Sequence, residues 1–185
     1  MGRVALLIAV FLVTGFGDLE AHATDWKFFG GAPHLKDEFG IGFYDAEGIE
    51  RLSNQNIKVW TTMFTNLSEF HRIEGKKEVI DKAAKKLAKG YQPPYFVIEA
   101  KNYTNHETFI DVIAWEETAN DADSKPRMKI LFEINCREKA IRILSIIQYD
   151  KDGMATNESH ESAWGSISAG SNAETLHKIL CKSKE

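Results

Sequence analysis

The chain contains two cysteines, Cys136 and Cys181, and they bracket the block whose pattern most restricts the fold. Residues 129–135 place Ile130, Phe132 and Ile134 on one face of an expected strand that ends at Cys136. Arg137, Glu138 and Lys139 form a turn. Residues 141–149 form the next strand, with Ile141, Ile143 and Ile147 expected on one face and Leu144 and Ile146 on the other. Asp150 to Gly153 (Asp-Lys-Asp-Gly) is a turn in which the glycine can take positive φ, and a weaker strand follows through Thr156 and Ser159. Ser171 with Glu174 three positions on is a capping box, so a terminal helix starts there. Ala173, Leu176, Ile179 and Leu180 make its buried stripe. Cys181 then sits on the last turn, able to reach back to Cys136.

Whether the cysteines pair depends on the compartment. Arg3 precedes an apolar run from Val4 to Phe16, and Ala21-His22-Ala23 is a small-x-small cleavage site. Residues 1–23 are therefore expected to be a cleaved signal peptide, with Ala23 and Thr24 flanking the cut. The apolar run is about 13 residues, short of the roughly 20 that span a bilayer. No cysteine lies near the cut to carry a lipid, and no second apolar run is long enough to cross a membrane. Loss of Arg3, Asp18 and Glu20 moves the formal net charge from −4 to −3, a balance that argues against broad nucleic-acid binding. What remains, residues 24–185, has the length of one ordinary domain. In an oxidising compartment two cysteines in one domain usually pair, and closing this loop stabilises the fold by roughly 4 kcal/mol in the chain-entropy model. The alternatives are two free thiols or a metal site. No histidine has ligand spacing around either cysteine, and there is no CxxC motif.

Upstream, residues 26–32 form a first strand ending in a glycine turn, and residues 41–44 a short second one. Residues 57–64 form a strand with apolar groups on both faces, hence a central position in the sheet. Val79, Ile80, Ala83, Ala84, Leu87 and Ala88 recur at helical spacing, and Gly90 stands where a C-terminal cap belongs. Six lysines between positions 76 and 89 are taken as a solvated face, diluted by Glu78 and Asp81. A second helix over residues 106–119 presents Phe109, Ile110, Ile113, Ala114 and Glu117 on one face. Antiparallel strands interrupted by two helices and sealed by a third make an α+β fold, with helix covering the sheet.

The chain is poor in recognisable chemistry. Asp150, Asp152, Glu158 and Glu161 imitate part of a calcium loop, but Gly153 falls at the wrong position and strands flank the segment, so a hairpin is the better reading. No HExxH, phosphate loop, dinucleotide fingerprint or GxSxG elbow occurs. No metal ligands, cofactor or catalytic residues are assigned. Of the four tryptophans, Trp26, Trp60 and Trp115 fit core positions, while Trp164 follows a polar loop and is the candidate contact residue.

Several motifs in their order carry a resemblance: Trp26 to Gly30 (WKFFG), Lys58 to Thr61 (KVWT), Ile134-Asn135-Cys136, Arg142 to Ser145 (RILS), Tyr149 to Gly153, Trp164 to Ile167, Gly170-Ser171, Glu174 to Leu176, and Cys181. Together they resemble the bacterial surface-adhesin protein E family. The resemblance implies an antiparallel sheet against a C-terminal helix tied by a disulfide, which agrees with the reading of Cys136 and Cys181. It also implies binding of host matrix and serum proteins. The matched residues are scaffold residues, so no ligand-binding residue carries over. The region 95–119 is a helical insertion relative to the namesake. The expectation is thus an exported, periplasmic or cell-surface, non-enzymatic module that binds a protein or envelope partner, with a homodimer left open. The rival is a periplasmic carrier with an apolar pocket between sheet and helices.

Overall fold

The computed structural model describes residues 24–30, 41–64, 77–94, 106–120, 128–150, 153–158 and 161–182. The expected leader with its cleavage residue Ala23, the segment 95–103 and His160 lie outside the described residues. Eight strands form one antiparallel sheet among them: β1 (Trp26–Gly30), β2 (Ile41–Asp45), β3 (Glu50–Arg51), β4 (Asn56–Phe64), β5 (Met128–Asn135), β6 (Ala140–Tyr149), β7 (Ala155–Glu158) and β8 (Gly165–Ser166). Their order is β1-β2-β4-β5-β6-β7, with β3 paired to β4 and β8 to β6. Three helices accompany them: α1 (Lys77–Ala88), α2 (His106–Ala119) and α3 (Asn172–Leu180). The expected α+β architecture is the one observed. The two-residue strands β3 and β8 are too short to leave a pattern in sequence.

The sheet is covered on both faces where β1, β2 and β4 lie. On one face Phe29, Tyr44, Ile57, Val59 and Ile134 pack with Leu176 and Leu180 of α3. On the other, Trp26, Phe28 and Phe43 pack with Val112, Trp115 and Ala119 of α2, and Trp60 joins them. This two-sided burial explains why β4 reads as apolar on both faces. It also corrects the reading of α2 as a one-faced helix. Ile113 and Ala114 bury against Ala83 of α1, with Ile110 beside them, whereas Phe109 turns to the sheet side with Val112 and Trp115. A helix lodged between a partner helix and a sheet has two apolar stripes.

Register details follow from local chemistry. In the β5–β6 ladder Phe132 faces Ile143, while Leu131 faces Ser145, so one extra residue of β6 is bulged out at Leu144. Because side chains alternate with period two, the bulge moves Ile146 to the face of Ile141 and Ile143 and turns Ile147 away. Strict alternation had put Ile147 with them. At the end of α1, Gly90 (φ 86°) lets its N–H reach the Leu87 carbonyl and the Tyr91 N–H reach the Lys86 carbonyl. That is the Schellman arrangement. Gly153 (φ 81°) makes the β6–β7 turn, with the Met154 N–H donating to Asp150 Oδ1.

Helix α3 is fixed at both ends. Ser171 Oγ accepts the Glu174 N–H at 3.1 Å, and Glu174 returns a carboxylate to the Gly170 N–H at 2.8 Å. The return bond falls one residue earlier than the capping box predicts. Asn172 lies so close to β1 that a Cβ on Gly30 would stand 2.6 Å from its Oδ1. At the far end Cys136 and Cys181 are joined, with Cα atoms 5.4 Å apart. His177 Nε2 donates to the Cys136 carbonyl at 3.2 Å, and Arg51 Nη2 to the Leu180 carbonyl at 3.2 Å. Reduction, or Cys136→Ser, is expected to lower stability by roughly 3–4 kcal/mol. A clear fall in melting temperature by calorimetry checks this; an unchanged transition contradicts it.

Candidate interaction surface

The two edges of the sheet end differently. Backbone groups of an edge strand point into space and invite another chain. At β1 they meet side chains of α2. The Phe28 N–H donates to Glu116 Oε1 at 3.0 Å, the Trp26 N–H donates to Asn120 Oδ1 at 2.7 Å, and Asn120 Nδ2 donates to the Trp26 carbonyl at 3.1 Å. Glu116 and Asn120, one turn apart, thus replace the missing strand.

Glu116 sits at 2 % exposure. Its other oxygen accepts the Tyr91 hydroxyl at 2.7 Å. Burial pushes its carboxyl up to about 7, against the opposing pull of the Tyr91 and Phe28 hydrogen bonds and the Lys27 charge, with Asp25 adding to the rise. Burial, then the Glu116 charge, also raises the Tyr91 and Tyr44 hydroxyls. Both protonation states can be bonded, since a protonated Glu116 donates to the Tyr91 oxygen while still accepting from Phe28. The folded pKa lies above the ordinary value of 4.5. The stabilisation from binding this proton is therefore complete below about pH 4.5 and lost as pH rises through 7.

Among the described residues the opposite edge has no such closure. Strand β7 pairs with residues 146–149 of β6, and β8 pairs with Ala140 and Ile141. Between them Ser162 bridges to β6: its N–H donates to the Ile143 carbonyl, and its Oγ accepts the Ile143 N–H at 2.9 Å. Ala155, Thr156 and residues 161–166 are exposed. Here stand the exposed large apolar side chains of the described residues, Met154 at 69 % and Trp164 at 41 %.

A row of alternating charge crosses the sheet to Trp164. Glu50 faces Lys58, Lys58 faces Glu133 and Glu133 faces Arg142 across successive ladders. Glu133 is 4 % exposed. Its Oε1 accepts Asn56 Nδ2 at 2.7 Å; its Oε2 accepts Arg142 Nε at 2.9 Å and Nη2 at 2.6 Å. Burial acts to raise this carboxyl, but the bonds from Asn56 and Arg142 and the charges of Arg142 and Lys58 outweigh it and hold it below the usual range. The remaining Arg142 nitrogen, Nη1, lies 2.9 Å from Glu161 Oε1, and the guanidinium carbon lies 4.8 Å from the centre of the Trp164 ring. Arg142 is thereby fixed on three sides and covers one face of Trp164, so the ring's exposed area belongs to its other face and rim.

Sequence reasoning singled out Trp164 and missed its supports. Glu133 and Arg142 stand on adjacent strands and Asn56 lies far from both in the chain, and only strand register brings the three together. Trp26 and Trp115 are core residues, as expected, although the buried Trp115 Nε1 has no hydrogen-bond partner among the described residues. Among the described residues no group of three or more His, Cys, Asp or Glu is placed to hold a metal ion, and Asp150 is a turn residue. A cavity of about 220 Å³ opens beside the disulfide, lined by Lys139, Ile167, Glu174, His177, Lys178 and Lys182. It runs along one face of α3 from Glu174 to Lys182 and is lined mostly by charged side chains, whereas a carrier requires an apolar pocket between sheet and helices. No helix of the described residues is long and apolar enough to cross a membrane.

The model of a family described as surface-adhesin protein E matches residues 97–182. The matched stretch runs from before α2 to the residue after Cys181, so it holds Glu116, the disulfide, Arg142 and Trp164. No curated protein and no solved structure matches the chain.

Two outcomes follow from the buried carboxylates. Glu116→Gln is expected to flatten the fall in denaturant stability between about pH 5 and pH 8, a contribution on the order of 3 kcal/mol. An identical slope in both proteins contradicts the assignment. Arg142→Ala leaves Glu133 buried beside Asn56 alone and is expected to cost roughly 2–3 kcal/mol. Glu161→Ala, which breaks only an exposed pair, is expected to cost less than about 1 kcal/mol. Urea denaturation of both variants separates them.

Proposed function

We propose, from the match of residues 97–182 to the surface-adhesin protein E family, that this chain is an exported, non-enzymatic module that binds a protein partner in the cell envelope or outside it. In this reading Ala23 and Thr24 flank the signal cleavage, and the mature chain from Thr24 folds as one domain in the periplasm or at the cell surface. The observation that supports it best is the contrast between the sheet edges. The β1 edge is closed by Glu116 and Asn120, whereas the β7 side carries exposed Met154 and Trp164. Trp164 is held by an arginine that is itself held by a buried carboxylate. Tryptophan and arginine in a fixed geometry are the side chains that dominate protein interfaces, because their ordering cost is already met before the partner arrives.

Cross-linking tests this in the native cells. A photo-reactive amino acid at Ser166, exposed two residues from Trp164, is expected to capture a protein. The same group at Lys82, exposed on α1, is expected to capture none. Protease treatment of intact cells then places the module: digestion puts it on the surface, and protection until the outer membrane is opened puts it in the periplasm. Purified protein that carries a small molecule by native mass spectrometry and gives no protein cross-link from Ser166 overturns the proposal in favour of a carrier.

A further inference from the structure

We propose that the partner presents an extended basic segment, which adds as a strand along β7 and residues 161–166 and seats a cationic side chain on the free face of Trp164 beside Glu161. The inference rests on the protein-binding reading above and names the chemistry of the partner. Three observations carry it.

The first is geometric. β7 and residues 161–166 form the outer border of β6, and their inner groups are spent on it: β7 through four register pairs, Ser162 through both bonds to Ile143, β8 through Ala140 and Ile141. All six positions from 161 to 166 are exposed. An added strand along them spans roughly 20 Å. Strand addition supplies affinity through the main chain and specificity through alternate side chains.

The second is electrostatic. Arg142 lies against one face of Trp164, and its charge is already met by Glu133 at 2.6 Å and Glu161 at 2.9 Å. With Lys58 and Glu50 counted, the row sets three carboxylates against two cations and is net negative. Glu161 has a side-chain exposure of 65 % and its second oxygen available to a newcomer. Asp150, exposed where β6 turns toward β7, adds a further carboxylate to this border. A negatively charged border disfavours an acidic segment and attracts a basic one.

The third is the ring. One face of Trp164 is taken by Arg142, and 41 % of the residue remains exposed. A second cation on the free face gains from the ring and from Glu161 together. Met154, at the far end of β7, offers an adaptable apolar contact.

The test uses the purified protein and short labelled peptides. One alternates lysine and valine, one alternates glutamate and valine, and one is the lysine peptide methylated on alternate backbone nitrogens. By fluorescence anisotropy at low salt the lysine peptide is expected to bind at least about tenfold more tightly than either control, and added salt weakens it. Hydrogen exchange is expected to show new protection at residues 155–158 and 161–166. Trp164→Ala and Glu161→Lys are each expected to weaken binding about tenfold, with the methylated peptide unaffected by either change. Equal binding of the three peptides, protection elsewhere, or protection of the same amides on concentrating the protein alone overturns the inference; the last outcome assigns the edge to a second copy of this chain. In each of those cases capture from Ser166 in cells still decides the broader reading, so the two failures are distinguishable.

Discussion

A strand at the border of a sheet carries backbone donors and acceptors that must be paired, covered or left to water, and this requirement organises the molecule. At β1 the solution is side chains: Glu116 and Asn120 take the Trp26 and Phe28 amides and lock α2 against the sheet. Once α2 is there, its sheet-facing stripe of Val112, Trp115 and Ala119 buries Trp26, Phe28 and Phe43, and its other stripe recruits α1 through Ile113, Ala114 and Ala83. The closed edge therefore specifies where the helical layer sits. The border beyond β6 lacks such a layer among the described residues, and it is where Met154 and Trp164 are exposed.

Closing the β1 edge with a carboxylate places a titratable group at the centre of that construction. Desolvation dominates at Glu116 because the hydrogen bonds it accepts come from one amide and one hydroxyl, while Lys27 acts on it through its charge alone. Glu133 shows the opposite balance. It is as deeply buried, yet a guanidinium bonds it twice and Asn56 bonds its other oxygen, so it stays ionised. Two buried glutamates, one on α2 and one on β5, thus differ in charge behaviour because one has a bonded cation and the other does not.

The ionised Glu133 matters for recognition. It positions Arg142, and Arg142 covers one face of Trp164 and holds Glu161. The chain of contacts runs from a buried carboxylate to an exposed aromatic ring without a flexible link, which leaves little ordering to be done on binding. The family match covers this whole assembly, residues 97–182, and α2 falls inside it. The disulfide with His177 and Arg51 fixes α3 beneath the same strands, so the surface is backed by a tethered layer.

Much of this was legible in the residues themselves. The strands at 128–135 and 140–149 show as branched apolar runs, the α2 limits fell at 106 and 119 as expected, and the Ser171–Glu174 pair marks the start of α3. Two cysteines at a strand end and a helix end set the staple, and the order of short motifs set the resemblance. These are local signals, written in period, turn chemistry and caps. Trp164 was also visible, since it follows a polar loop. What tertiary structure alone decided is everything that depends on register and on contact between distant segments. The bulge at Leu144 reversed the face of Ile147, because one unpaired residue shifts a period-two pattern. Glu116 carries no local signal; it is buried because β1, 88 residues away, needs a partner for an amide. Glu133, Arg142 and Glu161 gave no signal as a group, since side chains on three different segments become neighbours only when the ladder aligns them.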